Sequence, residues 1–149
     1  MPKAAGLDDS SNQEILHASS VAYQGRALLI LGASGSGKSA LALELMSRGA
    51  GLIADDRTII EPQDNRLILS APQAIQGKIE ARGIGILGAD YVGPTLLALA
   101  VNLDNSEPAR LPNHYTFARF GVRVPLLKRV PAPHFVPAIL QFLSHGRIA

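Results

Sequence analysis

Residues 27–47 constrain the fold most, because an apolar run, a glycine-rich octapeptide and a helix-forming run follow one another without interruption. The apolar run ALLIL has the length of a buried strand and stops at Gly32. The octapeptide GASGSGKS fills every fixed position of the motif G-x-x-x-x-G-K-[S/T]. Because glycine makes up only about 7% of average proteins, such a match between a strand and a helix rarely arises by chance. The stretch therefore predicts a phosphate-binding loop (P-loop).

The P-loop predicts how phosphate is held. Its backbone must curl so that N–H groups point at phosphate oxygens, and a Cβ would block that approach where glycine stands. We expect Lys38 to reach the β- and γ-phosphates and Ser39 Oγ to bind Mg²⁺. A helix that starts near Ser39 would add its positive N-terminal end. The candidate phosphate-binding residues are Gly32, Ala33, Ser34, Gly35, Ser36, Gly37, Lys38 and Ser39.

The composition fits one folded domain. The 149 residues are 47% hydrophobic and 17% charged, which favours a globular core over disorder. The absence of cysteine excludes disulfides, thiolate metal sites and a cysteine nucleophile. The N-terminal residues 1–14 contain no apolar core of a signal peptide, and no run approaches the 18 apolar residues of a membrane span, so we expect a cytoplasmic protein with no membrane contact. We divide the chain into a flexible tail, residues 1–13, and a P-loop domain, residues 14–149.

The charge is distributed unevenly. Residues 1–107 hold eight Lys or Arg and twelve Asp or Glu, whereas residues 108–149 hold six Lys or Arg and no acidic residue. A solvated face explains this pattern, and so does a surface for an acidic partner or an anionic substrate. We do not expect nucleic-acid binding, because the basic residues are spread out and aromatic residues are few.

The remaining pattern predicts an α/β fold with several strands and short helices. Glycines at positions 83 and 85 indicate a tight backbone path, not a helix, for residues 79–87. Before the P-loop we predict a hairpin over residues 14–31 with a turn at 23–25, which puts His17 on the strand beside 27–31. After it we predict a helix of about ten residues, a strand at 51–54, a hairpin over 58–69 with a turn at 62–65, and a helical turn within 72–78. The rest of the chain is predicted to form a core strand at 95–104, loops and short strands over 107–133, and a closing helix at 134–144 with Pro137 in its first turn.

Two adjacent carboxylates follow the strand at 51–54. A strand–helix–strand succession normally forms a right-handed crossover with parallel strands, which places Asp55 and Asp56 at the sheet edge that holds the P-loop. Phosphoryl transfer needs a group that accepts the proton of the attacking hydroxyl, and repulsion between two carboxylates makes one of them the stronger base. The sequence leaves open which aspartate has that role. It also allows the plainer interpretation that one of them only holds Mg²⁺ through water.

Several motifs together resemble, in order and spacing, the catalytic domain of bacterial HPr kinase/phosphorylase. The resemblance covers about residues 15–125 and indicates a short form without an N-terminal domain. The motifs that carry it are His17, GASGSGKS at 32–39, RG at 48–49 before LIADDR at 52–57, AP at 71–72 and IEARGIGI at 79–86. The resemblance implies a P-loop kinase-like core with a mixed β-sheet, an N-terminal β-hairpin and helices on the sheet. It also implies transfer from ATP, or from pyrophosphate, to a serine of the carrier protein HPr by a hexamer.

The resemblance implies roles for single residues. Asp56 matches the family's proton acceptor, and Asp55 lies beside it as a second catalytic candidate. Lys38 matches the phosphate-binding lysine. Ser39 and Glu80 match the Mg²⁺ ligands.

Two further catalytic candidates and one departure come from the same comparison. His17 matches an active-site histidine, although by itself it would be interpreted as a core histidine. Arg119 fits an active-site arginine on a mobile loop. Where the family has the segment used for dephosphorylation, this chain reads VPAPHF at 130–135, so the resemblance does not extend to the phosphorylase activity.

Two other functions stay open at the level of sequence. One is a regulatory module that binds nucleotide, signals by binding a partner and has little catalytic activity. The basic C-terminal third and the missing C-terminal motif favour it. The other is a P-loop kinase that acts on small molecules. The sequence disfavours it, because it has no recognisable lid or base-binding segment.

Overall fold

The computed structural model describes residues 12–149, so most of the predicted tail, residues 1–13, lies outside the described residues. The described part of the chain contains eleven strands, two α-helices and a 3₁₀ helix at Gln73–Ile75. The strands are β1 (Glu14–Leu16), β2 (Ala18–Tyr23), β3 (Arg26–Leu31), β4 (Gly51–Ala54), β5 (Thr58–Gln63), β6 (Arg66–Ser70), β7 (Lys78–Ala81), β8 (Gly85–Gly88), β9 (Thr95–Ser106), β10 (Tyr115–Arg119) and β11 (Val122–Arg129). The α-helices are α1 (Lys38–Met46) and α2 (Phe135–His145).

One mixed sheet of nine strands organises the domain. Its order is β1-β5-β6-β9-β3-β2-β4, while β11 pairs with β9 and β10 pairs with β11. The central strand β3 is antiparallel to β2 and parallel to β9. Both helices contact β2 and β3. The predicted α/β class, with a mixed sheet, an N-terminal hairpin and helices on the sheet, is confirmed.

The predicted crossover from β3 through α1 to β4 is present, but its two strands are not neighbours. Strand β2 lies between them and is antiparallel to both. Strands β3 and β4 therefore run in the same direction, and their carboxyl ends lie at the same edge of the sheet. Asp55, directly after β4, is consequently close to the P-loop, as expected.

The turns of the two predicted hairpins are confirmed. Gln24 and Gly25 join β2 to β3, and Asp64 and Asn65 join β5 to β6, all four with positive φ. Two successive residues of positive φ form the tight turn whose twist suits a β-hairpin.

The predicted position of His17 is wrong. His17 lies at the bend between β1 and β2, and Ala18 is the first residue of β2 that pairs with β3. The chain bends there because β1 leaves β3 and pairs with β5 instead. The bend exposes half of the His17 side chain.

Strands β7 and β8 form a separate two-stranded sheet. The prediction that residues 79–87 are not helical is confirmed, and Gly83 takes a positive φ of 83° in the turn. Strand β7 packs against α1, so this hairpin lies beside the helix that follows the P-loop.

Apolar side chains fill both faces of the sheet. In β3, Leu28 and Ile30 belong to the cluster under the helices, and Ala27 and Leu29 belong to the cluster on the other face. This alternation follows from the two-residue period of a strand. The 3₁₀ helix, the core strand β9 and the two strands of the proline-rich region agree with their predictions.

The closing helix α2 completes the helical face of the core. Val136, Ile139 and Leu143 are buried on one side of it, and Pro137 lies in its first turn as predicted. No helix in the described part of the chain is both long and apolar enough to cross a membrane.

We expect Ile139→Ala to lower the free energy of unfolding by about 2–5 kcal/mol, because it removes a fully buried side chain and leaves a cavity. The matched control is Ile148→Ala, since Ile148 is fully exposed beyond α2 and its loss should cost less than about 0.5 kcal/mol. Urea unfolding of both variants measures the difference. Equal stabilities of the two variants would show that α2 does not pack on the sheet.

Candidate active site

The P-loop, residues 32–39, connects β3 to α1. Gly32, Gly35 and Gly37 all have positive φ, at 155°, 82° and 101°. A Cβ added to Gly32 would collide with the Oγ of Ser36, so this position needs glycine for space as well as for backbone conformation. Gly37 is the N-cap of α1, which begins one residue before the predicted start. The loop therefore has the curled backbone that the motif predicts.

Lys38 is held inside the P-loop. Its side chain is buried, and Nζ donates to the carbonyl of Gly32 at 2.8 Å and to the carbonyl of Ala33 at 3.2 Å. Lys38 also lines the cavity in front of the loop. The ammonium charge is thus fixed where phosphate oxygens would meet it.

A cavity of about 650 Å³, here called the P-loop cavity, brings most of the predicted site together. Its size lies within the range of ligand pockets in proteins. The predicted site residues that line it are His17, Ser34, Gly35, Gly37, Lys38, Ser39, Asp56 and Glu80. P-loop residues, two carboxylates and a histidine therefore line one cavity.

Asp55 is a buried structural carboxylate. Its Oδ1 accepts hydrogen bonds from Ser19 Oγ at 2.8 Å and from Ser39 Oγ at 2.6 Å, and its Oδ2 accepts one from the backbone N–H of Glu80 at 3.0 Å. These three donors belong to β2, α1 and β7. Hydrogen bonds to an ionised group are roughly twice as strong as neutral ones. Asp55 therefore ties three elements together at the edge of the P-loop.

Asp56 is open to the cavity. Its side chain is 59% exposed, and its Oδ1 lies 2.6 Å from Nε2 of His17. The backbone N–H of Asp56 donates to Ser19 Oγ at 3.1 Å, and φ is +69°, in the left-handed region. Within residues 12–149, His17 is the side chain that contacts this carboxylate. The two neighbouring aspartates thus differ: one is fully hydrogen-bonded and buried, and the other is accessible.

The predicted magnesium ligands line the same cavity. Ser39 is half-buried and Glu80 is exposed on β7. The described residues contain no group of three or more His, Asp or Glu side chains that could hold a metal. Mg²⁺ in phosphate-transfer sites uses one or two protein ligands together with phosphate oxygens and water. The donor set therefore fits a Mg²⁺ ion that is bound together with a phosphate.

Arg119 is not brought to the P-loop cavity. It is the last residue of β10 and not part of a loop, so its predicted position is wrong. Its Nε donates to Glu14 Oε1 at 3.1 Å, and its guanidinium stacks on Phe117. The reason is that β10 pairs with β11 up to Arg119, and from the end of this strand the side chain reaches Glu14 of β1. The predicted catalytic role of Arg119 stays a prediction.

Two residues that were not among the predicted site residues make hydrogen bonds to the P-loop. Arg129 Nη2 donates to the carbonyl of Ser36 at 2.5 Å, and its Nε donates to the carbonyl of Leu103. Asp104 accepts a hydrogen bond from the backbone N–H of Ala33 at 3.0 Å. Arg129 lies 93 residues after Ser36, and Asp104 lies 71 residues after Ala33. No local sequence pattern could therefore indicate these contacts. Arg82, within the motif IEARG, also lines the cavity.

Comparisons with known proteins point to one family. The family model described as the HPr Serine kinase C-terminal domain matches residues 8–108. The HPr kinase/phosphorylase of Lacticaseibacillus casei is 39% identical over 128 residues, which are 79% of this chain and 39% of that protein. The HPr kinase/phosphorylase of Clostridium tetani is 43% identical over 89 residues, which are 60% of this chain and 28% of that protein. The chain thus spans about 39% or less of the length of these relatives.

A solved structure agrees in fold. The HPr(Ser) kinase/phosphatase from Coxiella burnetii has a TM-score of 0.71 and 26% identity, and the match covers 88% of this chain and 93% of that chain. The predicted P-loop kinase-like core is therefore confirmed as a fold.

We expect Asp55→Asn to lower the free energy of unfolding by about 1–3 kcal/mol, because an amide NH₂ would face a donor where a carboxylate oxygen now accepts. Asp56→Asn is the matched control, since Asp56 is exposed and asparagine tolerates its left-handed backbone. Urea unfolding of both variants measures the difference. An Asp55→Asn variant as stable as the control would show that Asp55 does not tie the site together.

Proposed function

This chain belongs to the family of the HPr Serine kinase C-terminal domain, and from that premise we propose that it is a protein serine kinase acting on an HPr-like phosphocarrier protein. The observation that carries the proposal is the accessible Asp56 carboxylate, bonded to His17 beside the P-loop. A P-loop alone supports only the binding of phosphate. A base in front of the cradle supports transfer to a hydroxyl group.

The phosphate end of the donor is assigned to the P-loop and α1. Backbone N–H groups and the N-terminus of α1 would contact the phosphate oxygens, and Lys38 would exchange its carbonyl partners for them. Ser39 and Glu80 would hold Mg²⁺ together with phosphate oxygens. The ion would neutralise charge on the transferring group.

The acceptor side is assigned to Asp56 and His17. The serine oxygen attacks the γ-phosphorus, the bond from that phosphorus to the β–γ bridging oxygen breaks, and ADP leaves. The serine proton passes to Asp56, whose Oδ1 is held by His17 Nε2. Asp55 is a positioning residue in this scheme, because its carboxylate already accepts three hydrogen bonds.

The finer parts of the proposal come from the family resemblance. They are ATP as donor with pyrophosphate as the alternative, a homo-hexamer, a cytoplasmic location, and no partnership with nucleic acid or membrane. The reverse phosphorylase reaction is left out of the proposal, because residues 130–135 lack the family's segment for it.

We expect Asp56→Asn to lower the rate of HPr phosphorylation by about 10²–10⁴-fold while nucleotide binding persists, because the variant keeps the shape and loses the base. The matched control is Asp64→Asn. Asp64 is exposed, has a positive φ of 53° and lies in the β5–β6 turn, away from the cavity. The assay combines enzyme, HPr, Mg²⁺ and ATP, and mass spectrometry detects phosphoserine.

Full activity of Asp56→Asn would assign the base to another group. If wild-type protein binds ATP and never phosphorylates HPr, the kinase proposal is wrong. Nucleotide-dependent capture of partner proteins without turnover would then favour the regulatory module, and transfer to a small hydroxyl compound would favour the small-molecule kinase.

A further inference from the structure

A cavity of about 430 Å³ lies at the opposite end of β3 from the P-loop. Arg26, the first residue of β3, lines it, whereas the P-loop follows the last residue of this strand. Its volume is within the range of ligand pockets in proteins. We call it the seam cavity, and the residues that matter most for its chemistry are Gln24, Arg26, Asn65, Arg66, Ala98 and Arg123.

The cavity lies at a seam where two strands approach β9 on the same side. Strand β3 pairs along one side of β9. On the other side, β6 pairs with residues 95–96 of β9, and β11 pairs with β9 from Ala100 onward. Within the described strands, residues 97–99 are therefore left without a partner on this side. Arg66 at the start of β6 and Arg123 near the start of β11 lie at the two ends of this gap.

The seam cavity is strongly basic. Within residues 12–149, its lining contains three arginines and no Asp or Glu. None of the three makes an ion pair with a carboxylate in the described part of the chain. A guanidinium offers a planar fork of N–H donors, and the side-chain amides of Gln24 and Asn65 add uncharged donors. The cavity therefore suits a ligand that is negatively charged and accepts hydrogen bonds.

One of the arginines is already engaged by α2. The Nη1 of Arg26 donates to the carbonyl of Leu143 at 2.8 Å and to the carbonyl of Ser144 at 3.3 Å. These carbonyls lie in the last turn of the helix, where a cation is stabilising. Arg66 and Arg123, both exposed, are the arginines that stay available for a ligand.

The end of α2 favours one kind of anion over another. The C-terminus of a helix carries a partial negative charge of about half an elementary charge. A phosphate ester concentrates about two negative charges on one group, and proteins bind such groups at helix N-termini. A carboxylate carries a single charge, and its two oxygens match one guanidinium. The seam cavity therefore suits two separate carboxylates, one for each available arginine, better than a phosphate.

The cavity also offers apolar surface. Leu67, Leu97 and Val124 line it and belong to the core cluster on the sheet face away from the helices. Because these side chains are buried, the core holds this wall in place. A short hydrocarbon chain can contact the wall while the carboxylates at its ends meet the arginines.

We propose that the seam cavity is a binding site for a small aliphatic dicarboxylate. Arg66 and Arg123 each pair with one carboxylate, and the amides of Gln24 and Asn65 supply further hydrogen bonds. The site shares no lining residue with the P-loop cavity, and the inference does not depend on the proposed kinase function.

The test is a titration of the full chain followed by two-dimensional ¹H–¹⁵N NMR. Glutarate is the dicarboxylate probe, and inorganic phosphate is titrated separately. The proteins are wild type, Arg66→Gln, Arg123→Gln and Arg110→Gln. Arg110 is an exposed loop residue that lines neither the P-loop cavity nor the seam cavity. Its replacement removes the same charge and is the matched control.

We expect glutarate to shift the amide signals of residues 97–98 in a saturable manner, with a Kd of about 1 mM or lower. Arg66→Gln and Arg123→Gln should each weaken binding about tenfold or more, while Arg110→Gln changes the Kd less than about twofold. Inorganic phosphate at the same concentration should leave the signals of residues 97–98 in place. Unchanged signals of the core residues show that the variants are folded, and either arginine variant suffices for the test.

Three results would overturn the inference. The first is the absence of a saturable shift at residues 97–98 with glutarate. The second is an equal loss of affinity in Arg110→Gln, which would indicate non-specific attraction by charge. The third is tighter binding of phosphate than of glutarate at the seam cavity. The titration contains neither HPr nor ATP, so its outcome is independent of the phosphoserine assay.

Discussion

The Asp55 carboxylate holds the site together through three hydrogen bonds. Its donors come from β2, from the first turn of α1 and from β7, which are elements that the backbone ladder alone does not join at this point. Because the group is buried, each of these bonds acts in a surrounding of low polarity, and loss of one would leave a polar atom without a partner. This one side chain therefore helps to fix Ser39 in the first turn of α1.

Next to this fixed carboxylate lies one that is accessible. Asp55 directly follows β4, and its side chain accepts a hydrogen bond from Ser39, whereas the left-handed backbone of Asp56 goes with a side chain that contacts His17 and lines the cavity. The two adjacent aspartates thus have different surroundings. Those of Asp55 suit a structural role, and those of Asp56 suit proton transfer. The Ser19 hydroxyl links them, since it donates to Asp55 and accepts from the backbone N–H of Asp56.

Local patterns were sufficient to predict the parts of the molecule that depend on neighbours in sequence. The P-loop, the hairpin turns at 24–25 and 64–65, strand β9 and helix α2 follow from runs of apolar residues and from turn residues. The insertion of β2 between β3 and β4 could not be predicted this way, because strand order depends on pairing between distant segments. The position of His17 was missed for the same reason, since β1 pairs with β5 and not with the P-loop strand.

The candidate site shows the same division. Its candidate phosphate-binding residues come from one octapeptide, while the distinction between Asp55 and Asp56 required the hydrogen bonds from Ser19, Ser39 and Glu80. Arg129 and Asp104 contact the P-loop across long stretches of chain and belong to no motif. Arg119 was assigned to the site from the family resemblance, but in the structure its guanidinium contacts Glu14.

The positive φ of Asp56 limits how this position can change during evolution. Glycine and asparagine are the other residues that adopt such a backbone at little cost, and neither can accept a proton as a carboxylate does. A substitution that preserves the turn therefore removes the proposed base, and a substitution by glutamate keeps a carboxylate but strains the turn. Under the proposed mechanism, one substitution at position 56 would therefore separate phosphate binding, which depends on the P-loop, from phosphate transfer, which depends on this turn.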